Sequence, residues 1–353
     1  MMLIKLHAVS IMKTDQKVKI ISFGGMNMSK LKKVRYKGRE HGSFGEEWGL
    51  HKGCSEWWYA TGYLKDDRER LYSFQFTVLR VHVSAFFPYL IMLGLTDFST
   101  GKHEYYQNIQ FSSKGVVVGS DTVGYGDIAQ IRKGKKGMTL AVRHKNFSLD
   151  LELNYGKGAV WHCDNGFLQM GIPGRRQTTV YYSYPNMPTT GTMTLHGNTT
   201  NVTGKTWFDK QGGPYRLMNA KTHWEWFSLR FFDDEEMMLF SFPQDNYQDG
   251  TYIRKDGNCQ RLTDYTVTPT DFACPNGVKY SCRWELTVPG LKEKRYTITP
   301  LLKGQMNMGY YELLASISNE KKEQVGLCFV ELLPGVYNKK FKKSLIAKTN
   351  DPS

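Results

Sequence analysis

Apolar and polar residues alternate with a period of two along much of this chain. Leu149, Leu151 and Leu153 alternate with Asp150, Glu152 and Asn154, a pattern that predicts a half-buried strand. Tyr296 and Ile298 alternate in the same way with Arg295, Thr297 and Thr299. Runs rich in aromatic and β-branched residues predict further strands over 71–81, 89–95, 178–183, 223–231, 237–242, 282–288 and 311–317. Turn signals separate them at short intervals: Asp66-Asp67, Ser99-Thr100-Gly101, Gly134-Lys135-Lys136-Gly137, Asp256-Gly257 and Asn276-Gly277. Long helical stripes are absent. Many short strands with regular turns predict an all-β chain of sandwich or barrel type. The break at Gly212, Gly213 and Pro214 is the best joint, dividing the body into a larger first β domain (40–213) and a smaller second one (214–335).

Length and charge sharpen this reading. The chain has 353 residues, which suits about two domains. Its formal net charge is +14, yet residues 1–39 hold ten Lys and Arg against one acid, Asp15, and residues 336–353 hold five Lys against Asp351. The body is therefore nearly neutral. A nucleic-acid groove would carry its basic stripe on the fold itself, so nucleic acid is excluded as a partner. The two ends read as flexible, solvated basic segments. Weak attraction to an anionic membrane surface is a second option for them. The apolar runs fall far short of the ~20 residues that span a bilayer. Lys5 and His7 interrupt any signal-peptide core near the start, so a cytoplasmic protein is expected. The six cysteines include no C-x-x-C pair, which excludes a zinc ribbon. If Asn276-Gly277 turns a hairpin, Cys274 faces Lys279 and Cys282 faces Asp271, so free thiols are expected.

Several motifs fail on inspection. Gly204-Lys205-Thr206 imitates the end of a phosphate loop, but Thr199 stands where its first glycine belongs. No G-x-S-x-G elbow occurs. His162 and Cys163 are neighbours in sequence, but adjacent strand residues point to opposite faces. No histidine cluster suggests a metal. The sequons at Asn27, Asn146, Asn198 and Asn201 carry little weight without a secretory signal.

Three blocks share an aromatic-plus-carboxylate style. The first runs from Ser55 to Leu64 and holds Glu56, Trp57, Trp58 and Tyr59. The second runs from Gly204 to Gly213 and holds Trp207, Phe208, Asp209 and Gln211. The third is His223-Trp224-Glu225-Trp226-Phe227. On strands, Trp57 and Tyr59 share one face and Trp58 takes the other, while Trp224 and Trp226 lie opposite Glu225. One aromatic set can fill a core while the other lines a cavity; a lone Trp is more often core. Asp209, boxed by aromatics, either finds donors or stays protonated at raised pKa. The plainer alternative makes it a turn residue bonded to nearby backbone.

These blocks resemble the carotenoid 1,2-hydratase (hydroxyneurosporene synthase) family, whose members have two lipocalin-like β-barrel domains in tandem. The resemblance runs from the Glu56–Leu64 block through Tyr181-Tyr182-Ser183, Gly191–Leu195, the Gly204–Gln211 block, Trp224-x-Trp226 and Met238-Leu239-Phe240. It continues through Trp284-x-Leu286, Thr297-x-Thr299-Pro300-Leu301 and Tyr310-Tyr311-Glu312. Gly212 stands where the family usually carries a tryptophan, and that departure would remove an aromatic from the cavity mouth. The family's relatives also include decalin-forming cyclases of the Diels–Alderase type.

The resemblance implies a hydrophobic small-molecule ligand and lyase or isomerase chemistry without a cofactor. Hydrating an isolated alkene needs an acid to protonate carbon, stabilisation of the cation and a water to capture it. Asp209 is the expected proton donor, with Glu56 as rival acid and His223 as polar neighbour. A carboxylic acid kept protonated in an apolar pocket can fill that role. Trp and Tyr faces stabilise a cation by ~0.5–2 kcal/mol each when desolvated. Trp57, Trp58, Tyr59, Trp207, Trp224 and Trp226 are the expected walls, and Gln211, Tyr182 or His223 would place the water. A pericyclase would need less, and a carrier only the cavity.

Overall fold

The computed structural model describes residues 35–38, 40–83, 86–170, 177–215, 224–274, 277–291, 293–303, 305–307 and 310–333. Apart from residues 35–38, the expected basic ends lie outside this set, as do His223 and Asn276.

Among the described residues the regular structure is almost entirely β-strand. The first sheet holds β1 (Ser55–Asp66), β2 (Leu71–Arg80), β3 (Tyr89–Asp97), β4 (Lys102–Gln110), β5 (Val116–Val118), β6 (Thr122–Tyr125) and β7 (Ala129–Lys133). It also holds β8 (Gly137–Arg143), β9 (Phe147–Asn154), β10 (Val160–Trp161), β11 (Phe167–Gln169), β12 (Thr178–Leu195) and β13 (Asn198–Gly213). In space the order is β4-β3-β2-β1-β13-β12-β9-β8-β7-β6-β5, with β10 and β11 also paired to β12. The second sheet holds β14 (Trp224–Phe231), β15 (Glu236–Phe242), β16 (Tyr247–Ile253), β17 (Cys259–Leu262), β18 (Thr266–Ala273) and β19 (Tyr280–Thr287). Its remaining strands are β20 (Arg295–Pro300), β21 (Met306–Asn307), β22 (Tyr310–Ser318) and β23 (Gln324–Leu333). Their order is β17-β16-β15-β14-β23-β22-β20-β19-β18, with β21 beside β22. All pairings are antiparallel, and each sheet curls around its own core as a lipocalin-like half-barrel. The one α-helix among the described residues, α1 (Phe44–Glu47), is closed by a capping box between Ser43 and Glu46. Among the described residues no helix is long and apolar enough to cross a membrane.

Burial explains which strands alternate in sequence and which do not. The outer face of β9 meets solvent, so its residues alternate between buried and exposed. Every residue of β14 is buried, because one face meets the second core and the other meets the first sheet. Strands covered on both faces lose the period-two signal. The first core gathers Trp58, Phe74, Phe76, Leu151 and Phe208. The second gathers Phe227, Leu229, Trp284, Tyr311 and Val330. A third apolar layer lies between the sheets, built from Tyr59, Trp207, Trp224, Trp226, Met238 and Phe329. Each large apolar side chain fully buried in these layers contributes ~1.5–3 kcal/mol.

Gly212 and Gly213 are the last residues of β13, the final strand of the first sheet, and pair with Glu56 and Ser55 of β1. One detail corrects the sequence reading. Asp209 is not a turn residue, since it sits mid-strand opposite Tyr59 and is only 3% exposed. The true turn of this region is at His196-Gly197, where both residues take positive φ (49° and 84°) and join β12 to β13 with Leu195 paired to Asn198. That is a two-residue hairpin whose twist suits long paired strands.

Candidate functional site

Strand alternation sorts the site residues into two groups. On β1, β13 and β14 the odd or even positions that face the other sheet carry Trp57, Tyr59, Trp207, Asp209, Gln211, Trp224 and Trp226. Tyr59, Trp207, Trp224 and Trp226 belong to the layer between the sheets, and Trp57 packs against it. Glu56, Trp58 and Tyr182 point the other way. Trp58 lies in the first core with its Nε1 donating to the Trp48 carbonyl at 3.1 Å. Tyr182 donates to the Phe44 carbonyl at 3.1 Å. The structure thus brings seven expected residues together and separates three from them. His223 is outside the described residues.

Asp209 is enclosed by donors. Ser183 Oγ and Trp207 Nε1 (2.6 Å) both donate to its Oδ1, and the Tyr181 hydroxyl bonds the same carboxyl. Burial nevertheless pushes its pKa up to about 7, against the lowering effect of those donors. Behind Ser183 stands His162, whose Nε2 lies 2.6 Å from Ser183 Oγ. Burial drives the His162 pKa down to about 3, so the ring is neutral and donates through Nε2 when Ser183 donates to Asp209. His162 therefore works with a serine across the sheet, not with Cys163 beside it. Gln211 Nε2 donates to Thr179 Oγ1 at 2.7 Å.

Glu56 sits in a different environment. It is fully buried, accepts from the His51 backbone N–H and from Lys210 Nζ at 2.9 Å, and lies 3.6 Å from Arg80. Burial opposes its charge, but Lys210 and His51 outweigh that and hold its pKa below the ordinary value. His51 also reaches Glu47 at 2.8 Å. This is a closed ionic network, and its carboxylates are ionised. A group held charged cannot be the donor in acid catalysis, so the geometry assigns Glu56 to holding the fold.

The structure adds residues that the sequence did not single out. Glu312 and Glu331 face each other across β22 and β23, on the side that meets the first sheet. Tyr59 donates to Glu312 Oε2 at 2.7 Å across the two sheets. Trp224 Nε1 donates to Glu331 Oε1 at 2.8 Å. Burial and mutual repulsion raise the pKa of this pair above the ordinary carboxyl value. Arg230 of β14 is buried in the same layer; it donates to Thr61 Oγ1 at 2.7 Å and lies over the Trp207 ring. No period in the sequence places Glu331, since its strand is covered on both faces; only the β22–β23 register sets it opposite Glu312.

A cleft opens between the sheets at this point. Trp57, Tyr59, Thr77, Leu79, Met92, Trp224, Tyr310 and Glu331 line it, around a narrow space of about 10 Å³ that is partly open to solvent. Trp57 and Trp224, on opposite sheets, are parallel within 7° with ring centroids 6.4 Å apart. The cleft is aromatic and apolar except for two tyrosine hydroxyls, one threonine and one carboxyl. Asp209 lies next to Tyr59 in the register but does not line the cleft.

The family model described as AttH-like matches residues 36–335. Two solved structures are similar in fold. A protein of Nitrosomonas europaea described as a candidate AttH superposes with a TM-score of 0.74 at 22% identity, covering 83% of this chain and 97% of its own. Kievitone hydratase of Nectria haematococca superposes with a TM-score of 0.64 at 19% identity, covering 79% of this chain and 88% of its own. No curated protein matches the sequence.

Proposed function

The chain belongs to the AttH-like family, and on that premise we propose that it binds a hydrophobic, unsaturated small molecule between its two sheets and adds water to it or isomerises it by acid catalysis without a cofactor. The observation that carries this reading is Glu331 on the wall of an otherwise aromatic cleft. A carrier needs only apolar walls; a carboxyl held up by burial among them is a proton source. Asp209 and Glu312 lie close behind the same wall, so the acid comes from this set of three. Trp57, Tyr59, Trp224 and Tyr310 present ring faces to a developing cation. The fold is shared with kievitone hydratase, whose name describes a hydration. A carotenoid substrate is one member of the ligand class. The cleft as it stands has room for about 10 Å³, far below the ~300–1,000 Å³ of ligand sites, so a ligand enters only when the facing side chains move apart.

Native mass spectrometry of the purified protein, followed by extraction of any bound molecule, tests the reading. The expected result is an unsaturated hydrophobic compound that gains one water, or rearranges at constant mass, on incubation with fresh enzyme. Asp209→Asn and Glu331→Gln should lower that conversion while preserving binding. A bound compound that the wild type never converts would favour the non-catalytic carrier.

A further inference from the structure

The carboxyl pair of β22 and β23 carries more than its position. Glu312 is 2% exposed and sits beside Glu331 in the cross-strand register. Two carboxyls paired in the register, with Glu312 fully buried and Glu331 half-buried, do not both ionise, so the pair holds one proton. Hydrogen bonds decide which residue carries it. Glu312 accepts on both oxygens, from Tyr59 at 2.7 Å on Oε2 and from Gln75 Nε2 at 3.3 Å on Oε1. The Gln75 amide is oriented for this, because its oxygen accepts from Asn307 Nδ2 at 3.1 Å, and Asn307 is anchored on the Leu93 carbonyl. Donors on both oxygens favour the ionised form. Glu331 accepts on Oε1 alone, from Trp224, and among the described residues its Oε2 takes no hydrogen bond. Glu331 lines the cleft; Glu312 does not.

Resting on the acid chemistry proposed above, we infer that Glu331 is the proton donor of the cleft and that Glu312 is the ionised positioning residue that keeps the proton on it. The step balances as follows. The Oε2–H bond of Glu331 breaks, the π electrons of the ligand form a new C–H bond, and the adjacent carbon becomes cationic between the aromatic walls. Water captures that carbon and its surplus proton returns to the Glu331 carboxylate, so one water is added and the acid is restored. The ionisable groups facing Glu331 are Glu312 and Tyr310 from β22, Tyr59 from β1 and Asp209 from β13. Every one of them is acidic, so none favours loss of the proton. The buried cation Arg230 is engaged by Thr61 and Ser228 instead.

The test is infrared difference spectroscopy of the protonated carboxyl stretch in wild type, Glu331→Gln, Glu312→Gln and Asp209→Asn, titrated from acid to alkaline pH. The expected result is a protonated-carboxyl band at neutral pH from which Glu331→Gln removes one component, distinct from the component that Asp209→Asn removes and that titrates near pH 7. In Glu312→Gln the Glu331 component should persist but titrate at lower pH, because the charged neighbour is gone. A signal unchanged by Glu331→Gln, or one abolished by Glu312→Gln, would overturn the assignment. Should a variant fail to fold, carboxyl-carbon NMR titration of the glutamate-labelled wild type reads the same two groups. The measurement needs no substrate: a protonated Glu331 in a protein that converts nothing refutes the proposed reaction and its proton donor, and leaves standing only that Glu312 keeps the proton of the pair on Glu331.

Discussion

Gly212 of β13 lies directly opposite Glu56 of β1, and a Cβ on that glycine would come within 2.7 Å of the Glu56 Cγ. The expected loss of an aromatic from the cavity mouth therefore does not occur. Position 212 points away from the cleft, on the side where Glu56 meets Lys210, His51 and Arg80. The absent side chain makes room for a buried ionic network.

Gly212→Ala should consequently destabilise the protein, by about 1–3 kcal/mol, as overpacking at a closed site does. Gly212→Trp should cost more. Thermal melting checks this; an unchanged midpoint for the alanine variant would show that Glu56 moves aside freely.

Removing the Glu56 charge should be costly as well. Glu56→Gln leaves Lys210, which is 2% exposed, without its nearest counter-charge. Breaking a buried pair at one partner costs about 3–5 kcal/mol. Urea denaturation should show that loss, while binding in the inter-sheet cleft stays intact in the protein that remains folded. Lost binding at full stability would move Glu56 into the site.

Asp209 predicts a pH dependence of the opposite kind. Its pKa is pushed up to about 7, against ~3.9 in an unfolded chain. Between those values the folded state holds a proton that the unfolded state releases. Stability from this group is thus full below about pH 4, falls as pH rises through about 7, and stays low above it, a change of at most about 4 kcal/mol. Asp209→Asn should flatten that slope in urea midpoints measured from pH 4 to 8. An unaltered slope would mean that Asp209 is already ionised in the folded protein at low pH.

All six cysteines are free, with Cys259 and Cys274 exposed and Cys54, Cys163, Cys282 and Cys328 buried. A thiol reagent should label two sites rapidly in the folded protein and six after denaturation. Fewer than six under denaturing conditions would reveal a disulfide.

The fold was legible because solvent-facing strands such as β9 print their alternation directly. β23 was not, since both of its faces are buried and its run Leu327–Leu333 shows no period. β4 was missed for the reverse reason: it is polar and largely exposed. The aromatic faces at Trp57, Tyr59, Trp224 and Trp226 followed from strand parity alone. What parity cannot supply is the partner of a side chain far away in sequence. Glu56 and Asp209 look alike between aromatics, yet one meets two cations and the other meets neutral donors. Glu312 and Glu331 become a pair only through the β22–β23 register, and they reach Tyr59 only when the two sheets meet.

A crystal structure of the protein with its co-purified ligand tests the central claim most directly. The account predicts density between Trp57 and Trp224, with an unsaturated carbon of the ligand in contact with the Glu331 carboxyl. Density inside either barrel core, around Trp58 or Trp284, with the inter-sheet cleft closed, would contradict it.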